Sequence, residues 1–141
     1  MVRRYREEER EMIKYCQFAG IGLIPYSVLN YGALARPLGA ADTARAETFK
    51  NMPYMGKLQA AEEKIVRRVE KVAQDKGWLM SQVALAWVSE GVASPLIGVS
   101  SVSAIPPFAD NTQRVQPKRL EEAIIPGYKL TEEERKYLEE P

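Results

Sequence analysis

The sequence predicts an α/β fold with parallel strands, and one that forms part of a larger structure. Helical segments alternate with short apolar runs along the 141 residues, the order expected of parallel-sheet proteins. The two runs, 21–26 and 95–99, are continuously apolar, as strands buried on both faces are. Two strands are too few for a closed sheet, and the remaining elements are too few to cover both faces of the pair.

The elements follow in order. Residues 6–19 read as a helix, with Glu7, Glu8 and Glu9 at the positive end of its dipole and Gly20 at the stop position. Met12, Ile13 and Cys16 form its apolar face. The run Ile21-Gly22-Leu23-Ile24-Pro25-Tyr26 is too short for a globular helix, and Pro25 marks the end of a strand. Residues 27–56 hold Gly32, Pro37, Gly39, Pro53 and Gly56 with no sustained period, and a loop that long in a compact domain is usually functional or mobile. A long helix is predicted from Gln59 to Lys76, with Ala61, Ile65, Val69, Val72 and Ala73 on one face and Gly77 as its stop. Ser81 is expected to cap a second helix reaching Glu90 and ending at Gly91. The second strand, 95–99, leads into Ser100-Ser101. Pro106, Pro107 and Pro117 then exclude a helix until 118–124. Thr131-Glu132-Glu133-Glu134 is a capping box that opens the final helix, with Thr131 at N-cap and Glu134 at N3.

Composition narrows the chemistry. With 20 Lys+Arg against 19 Asp+Glu, the formal charge of +1 gives no net attraction to nucleic acid or an anionic membrane. The lone Cys16 excludes an internal disulfide and a multi-thiolate zinc site, and no metal site is expected. The absence of histidine removes every Ser-His or Cys-His triad and the commonest general base near neutral pH. No segment approaches the roughly 20 apolar residues of a membrane helix. The charged start lacks the apolar core of a signal peptide. A soluble, cytoplasmic protein is the expectation.

Several motifs in the right order then carry a resemblance. Residues 5–13 (Tyr-Arg-Glu-Glu-Glu-Arg-Glu-Met-Ile), Gly22-Leu23-Ile24-Pro25-Tyr26-Ser27 and Gly32-Ala33-Leu34-Ala35-Arg36-Pro37 begin it. Residues 81–88 (Ser-Gln-Val-Ala-Leu-Ala-Trp-Val), 94–101 (Ser-Pro-Leu-Ile-Gly-Val-Ser-Ser) and 130–141 continue it to the last residue. On these the chain resembles the aldo-keto reductases, with fungal enzymes of secondary metabolism the nearest in look. The resemblance implies the C-terminal part of a (β/α)₈ TIM barrel, incomplete, with about two barrel strands plus flanking helices, across residues 1–141. In the complete family an Asp, Tyr, Lys and His tetrad reduces a small-molecule carbonyl substrate with NADPH. That tetrad lies on earlier strands, so no catalytic residue is expected here and the chain is expected to be inactive alone.

What the resemblance implies for this portion is the NADP(H) site. Tyr26 matches the aromatic that stacks on the nicotinamide, fixing which hydride face meets the substrate. Ser27, Leu29 and Gly32 match the loop around the pyrophosphate, and Ser100 the hydroxyl contact to the adenosine phosphate. Without a gap, the remaining adenosine contacts fall on Ala104, Pro107 and Phe108, none of which can serve. With a gap after Val102, they fall on Arg119 and Glu122, which suit a 2′-phosphate and an adenine amine. Residues 103–117 are therefore expected to be an insertion, an unspliced intron with an open frame being one origin.

From pattern alone, blander readings stand beside these. Tyr26 reads more readily as a buried strand aromatic until the surrounding match is counted, Ser100-Ser101 as a helix cap, and Arg67, Arg68 and Lys71 as an exposed helix face. Cys16 reads as a small core hydrophobe. Two alternatives to the leading function also follow. One is a non-catalytic remnant that binds nucleotide or docks on another chain through unpaired strand edges. The other is an incomplete stretch of an intact reductase gene.

Overall fold

A computed structural model describes residues 6–40, 60–96 and 127–140, with side chains from Glu11 in the first stretch and from Ala61 in the second. Four α-helices and one 3₁₀ run are present among these residues. Helix α1 spans Arg6–Phe18. Gly20 ends it at φ +68°, where the Gly20 N–H donates to the Gln17 carbonyl at 3.4 Å and the Ile21 N–H to the Cys16 carbonyl at 2.8 Å. Those paired bonds satisfy carbonyls the helix leaves open, and glycine is the residue that adopts the left-handed angle without strain.

Helix α2, Ala60–Lys76, carries Glu62 and Glu63 in its first turn and Lys76 in its last, both favourable to the dipole. Its buried stripe is Val66, Val69, Val72 and Ala73, whereas Ala61 is exposed and Ile65 only half-buried. The expected face is thus rotated by about one residue at its start, toward Val66. Gly77, at φ +66°, closes this helix as Gly20 closes the first, with the Trp78 N–H on the Ala73 carbonyl at 2.8 Å.

Helix α3, Met80–Ser89, starts before the expected cap. Leu79, not Ser81, occupies the N-cap position, and the Gln82 side-chain oxygen accepts from the Leu79 N–H at 2.7 Å. The Gln82 amide in turn donates to the Tyr128 hydroxyl at 2.9 Å, so a glutamine that sequence gave no special role fixes the helix start. Helix α4, Glu132–Glu139, opens on the expected capping box: Glu134 N–H donates to Thr131 Oγ1 at 3.2 Å and Thr131 N–H to Glu134 Oε2 at 2.7 Å.

The core lies where α2, α3 and α4 meet. Val66, Val69, Val72, Ala73, Met80, Val83, Ala86, Leu130 and Leu138 are buried together, with Leu34, Leu38, Trp78, Trp87, Tyr128 and Tyr137 packed around them. Polar contacts hold the last segment down. Trp87 Nε1 donates to Glu139 at 3.0 Å, Arg135 pairs with Glu90, and Arg68 donates to the Glu140 carbonyl and stacks over Tyr137 at 5.6 Å. Arg68 is therefore a clamp on the C-terminal segment, while Lys71 pairs with Asp75 at 3.0 Å on the exposed face.

The expected strand 21–26 requires a correction: among the described residues there is no β-strand, and Ile21, Ile24 and Tyr26 are exposed. The run is nevertheless paired on one side, and in the parallel direction. The Leu23 carbonyl accepts from the Ala93 N–H at 2.9 Å, and the Pro25 carbonyl from the Leu96 N–H at 2.8 Å. The two prolines explain why a ladder stops there. A regular step would use residue 95 as the donor to Pro25, but Pro95 has no N–H, and Pro25 has none to return. Of the second expected strand only Pro95 and Leu96 are described. Residues 41–59 and 97–126 lie outside the described residues, and with them Ser100, Arg119, Glu122, the 118–124 helix and the whole of 103–117.

Candidate functional site

The candidate site gathers where the 21–26 run gives way to a turn. Pro25 ends the run while its carbonyl holds Leu96, and the next residue, Tyr26, keeps 62% of its surface open. The blander reading of Tyr26 as a buried strand aromatic does not hold: its ring faces outward at the end of the run. A buried Val28 anchors the turn two residues on. Leu34 and Leu38, at its far end, pack on the core, so that end of the turn is fixed to the α2–α3 pair.

Around these anchors the backbone is wound left-handed at four positions. Ser27 has φ +53°, Asn30 +47°, Tyr31 +56° and Gly32 +95°. Asparagine visits this region with little penalty and glycine with none, but a tyrosine there costs roughly 1–2 kcal/mol. Internal bonds hold the shape: Asn30 N–H to the Ser27 carbonyl at 2.8 Å, Gly32 N–H to the Leu29 carbonyl at 2.9 Å, and Leu34 N–H to the same carbonyl at 3.2 Å. A 3₁₀ run, Asn30–Ala35, results, kinked at Tyr31 and Gly32. A Cβ at Gly32 would meet no atom within 4 Å, so angle alone demands glycine here.

Four of the expected site residues, Tyr26, Ser27, Leu29 and Gly32, thus fall within one short, strained, anchored turn. Strain of this kind collects at ligand clamps. The other three, Ser100, Arg119 and Glu122, lie outside the described residues. Sequence reading passed over Asn30 and Tyr31; Asn30 before a Tyr-Gly pair was the only signal for the left-handed stretch, and Tyr31 gave none.

A second polar cluster ties α4 to the end of α2. Lys76 Nζ bridges both oxygens of Glu134 at 2.9 and 3.0 Å and sits 4.6 Å from the Trp78 ring centre. Trp78 meets Tyr128 edge-on at 4.5 Å. Burial pushes the Glu134 carboxyl up, but the Lys76 ion pair and the Thr131 contacts outweigh it and leave it below the usual carboxylate value. Every group in this cluster is spent on another, which marks it as a fastening. Among the described residues no group of three or more Cys, Asp or Glu could hold a metal ion, and no helix is long and apolar enough to cross a membrane.

The aldo/keto reductase family model matches residues 1–114. An aldo-keto reductase of Fusarium vanettenii is 42% identical over 138 residues, covering 96% of this chain and 33% of that protein. Another, from Alternaria alternata, is 43% identical over 139 residues, covering 97% of this chain and 33% of its own length. The versiconal hemiacetal acetate reductase of Aspergillus parasiticus is 39% identical over 140 residues, 96% of this chain and 36% of that protein. The chain therefore spans about a third of the length of the curated relatives it matches, the share a C-terminal portion would fill. Members of this family have a (β/α)₈ barrel fold and generally use NADP(H), and the chain belongs to the aldo/keto reductase family.

Proposed function

We propose that this chain is the cofactor-side, C-terminal portion of an incomplete (β/α)₈ barrel, derived from a cytoplasmic NADPH-dependent carbonyl reductase of fungal secondary metabolism. The observation that carries the reading is the open Tyr26 ring standing at the head of a strained, anchored turn. A flat, accessible ring beside a turn that glycine lets approach closely fits a nicotinamide dinucleotide.

NADPH, when bound, supplies the hydride that reduces a small-molecule carbonyl. The residues of this chain would hold and orient it. Tyr26 would stack on the nicotinamide. Ser27 and Leu29 would follow the pyrophosphate, with Gly32 contributing clearance rather than a donor, since its N–H is spent on Leu29. Ser100 would contact the adenosine phosphate, Arg119 would grip the 2′-phosphate as a planar fork, and Glu122 would accept from the adenine amine.

Proton transfer is what the chain lacks. It contains no histidine, so the family's tetrad cannot be completed from its own residues. Loss of general acid–base help removes about 10²–10⁴-fold in rate, and loss of substrate positioning removes more. The insertion at 103–117 belongs to the same reading, since it would separate Ser100 from Arg119 and Glu122. Splice-like signals at both junctions of the gene are expected if its origin is an intron, and their absence would refute that origin.

A fluorescence titration of NADPH with the purified chain tests the cofactor reading. NADPH emission is expected to change saturably, and Tyr26→Ala to weaken binding by about tenfold, the worth of one aromatic stack, with helix content unchanged. Equal binding by Tyr26→Ala would remove Tyr26 from the site, and no binding at all would refute the reading.

A further inference from the structure

Of the four left-handed positions in the turn, Tyr31 is the one its residue type explains least. Glycine takes a positive φ freely and asparagine with little penalty, so Gly32 and Asn30 suit their angles. Ser27, at φ +53°, is strained as well, but its place in the pyrophosphate reading gives it a use. Tyr31, at φ +56° and ψ +22°, carries a bulky side chain into a region that such residues rarely enter. The residue is 39% exposed, so burial in the core does not force it there.

Strain of this kind persists only where the surroundings enforce it. Val28 is buried on one side of the stretch, and Leu34 packs on the core on the other. Between them the Asn30 N–H donates to the Ser27 carbonyl at 2.8 Å, while the Gly32 and Leu34 N–H groups share the Leu29 carbonyl at 2.9 and 3.2 Å. The net worth of one such backbone bond is similar to the cost of one left-handed tyrosine. The angle at Tyr31 therefore cancels about one of these bonds, and the wound turn competes with an unwound form.

We propose that Tyr31 is a positioning residue that limits nucleotide affinity, its left-handed angle lowering the population of the wound turn in which Ser27 and Leu29 hold NADPH. The inference rests on the cofactor reading above. An apparent Kd is the intrinsic value divided by the binding-competent fraction, so relief of the strain tightens binding without any new contact. A redox nucleotide has to leave once its hydride is spent, so weakened holding serves turnover in a complete reductase.

Three variants of the full chain separate the angle from the ring. Tyr31→Gly removes both the ring and the angular cost, Tyr31→Asn keeps a Cβ but tolerates the angle, and Tyr31→Ala removes the ring while keeping the cost. In the NADPH fluorescence titration, Tyr31→Gly is expected to lower Kd by about threefold to tenfold, Tyr31→Asn by less, and Tyr31→Ala not at all. Amide exchange without nucleotide, read at Asn30, Gly32 and Leu34, should slow in Tyr31→Gly by a similar factor. Equal tightening by Tyr31→Ala would assign the effect to the ring and overturn the proposal. Unchanged or weaker binding by Tyr31→Gly, or tighter binding without slower exchange, would overturn it too. Parent binding with no gain in Tyr31→Gly sinks this proposal alone, whereas no NADPH binding by either chain sinks the cofactor reading and this proposal with it.

Discussion

Gly32 and Tyr31 sit side by side at left-handed angles, but only one of them does so without strain. For Gly32, at φ +95°, the space around a Cβ is open, so a β-branched side chain would be opposed by backbone angle alone. Gly32→Val is expected to destabilise the turn by roughly 1–3 kcal/mol locally. Because the core sits elsewhere, between α2, α3 and α4, the helical circular dichroism should be little changed. NADPH affinity in the fluorescence titration should fall by about tenfold or more. Unchanged affinity would mean that the left-handed turn plays no part in holding the dinucleotide. The glycine was legible in sequence as a loop residue matching the family. The left-handed Ser27, Asn30 and Tyr31 around it were not, because an L-residue with positive φ is fixed by the anchors at Val28, Leu34 and Leu38 and not by its own type.

At the scale of elements, local rules were readable and distant partners were not. Gly20, Gly77 and the Thr131–Glu134 capping box all act within a few residues of themselves, and all were found in the pattern. The start of α3 was misplaced because Gln82, not Ser81, closes it, and Gln82 is oriented by Tyr128, 46 positions away. Glu134 shows both sides of this: its capping role was evident, and its ion pair with Lys76, 58 positions away, was not. Thr131→Ala is expected to cost about 1 kcal/mol and lower the melting temperature by several degrees. Acid should act on the same joint. Glu134 titrates below its ordinary value when folded, so its stabilisation is complete above about pH 4.5 and is lost as pH falls through the lower folded value. Melting followed from pH 7 to pH 3 should show a smaller acid loss in Glu134→Gln than in the parent chain. Equal losses would show that the Lys76–Glu134 pair does not couple folding to pH.

For the whole molecule, the sequence pattern indicated an α/β chain with too few elements to cover its own strands, and the described residues show helices without a strand. The helices α2, α3 and α4 pack on one another, burying Val66 and Val83 almost completely. The run expected from sequence to be a buried strand has Ile21, Ile24 and Tyr26 exposed. Pattern reading assumed that apolar runs are buried; burial needs partners, and those required by 21–26 are not among the described residues. A parallel direction of pairing is present in the bonds from Ala93 and Leu96.

On the proposed reading the chain carries cofactor-side residues and, as its sequence shows, no histidine, so its central property should be a separation of nucleotide binding from turnover. NADPH oxidation by the purified chain, measured across a panel of aldehydes and quinones against a no-protein control, tests this most directly. The rate should equal the control with every substrate, while any protein-dependent, saturable oxidation would contradict the assignment of an incomplete reductase.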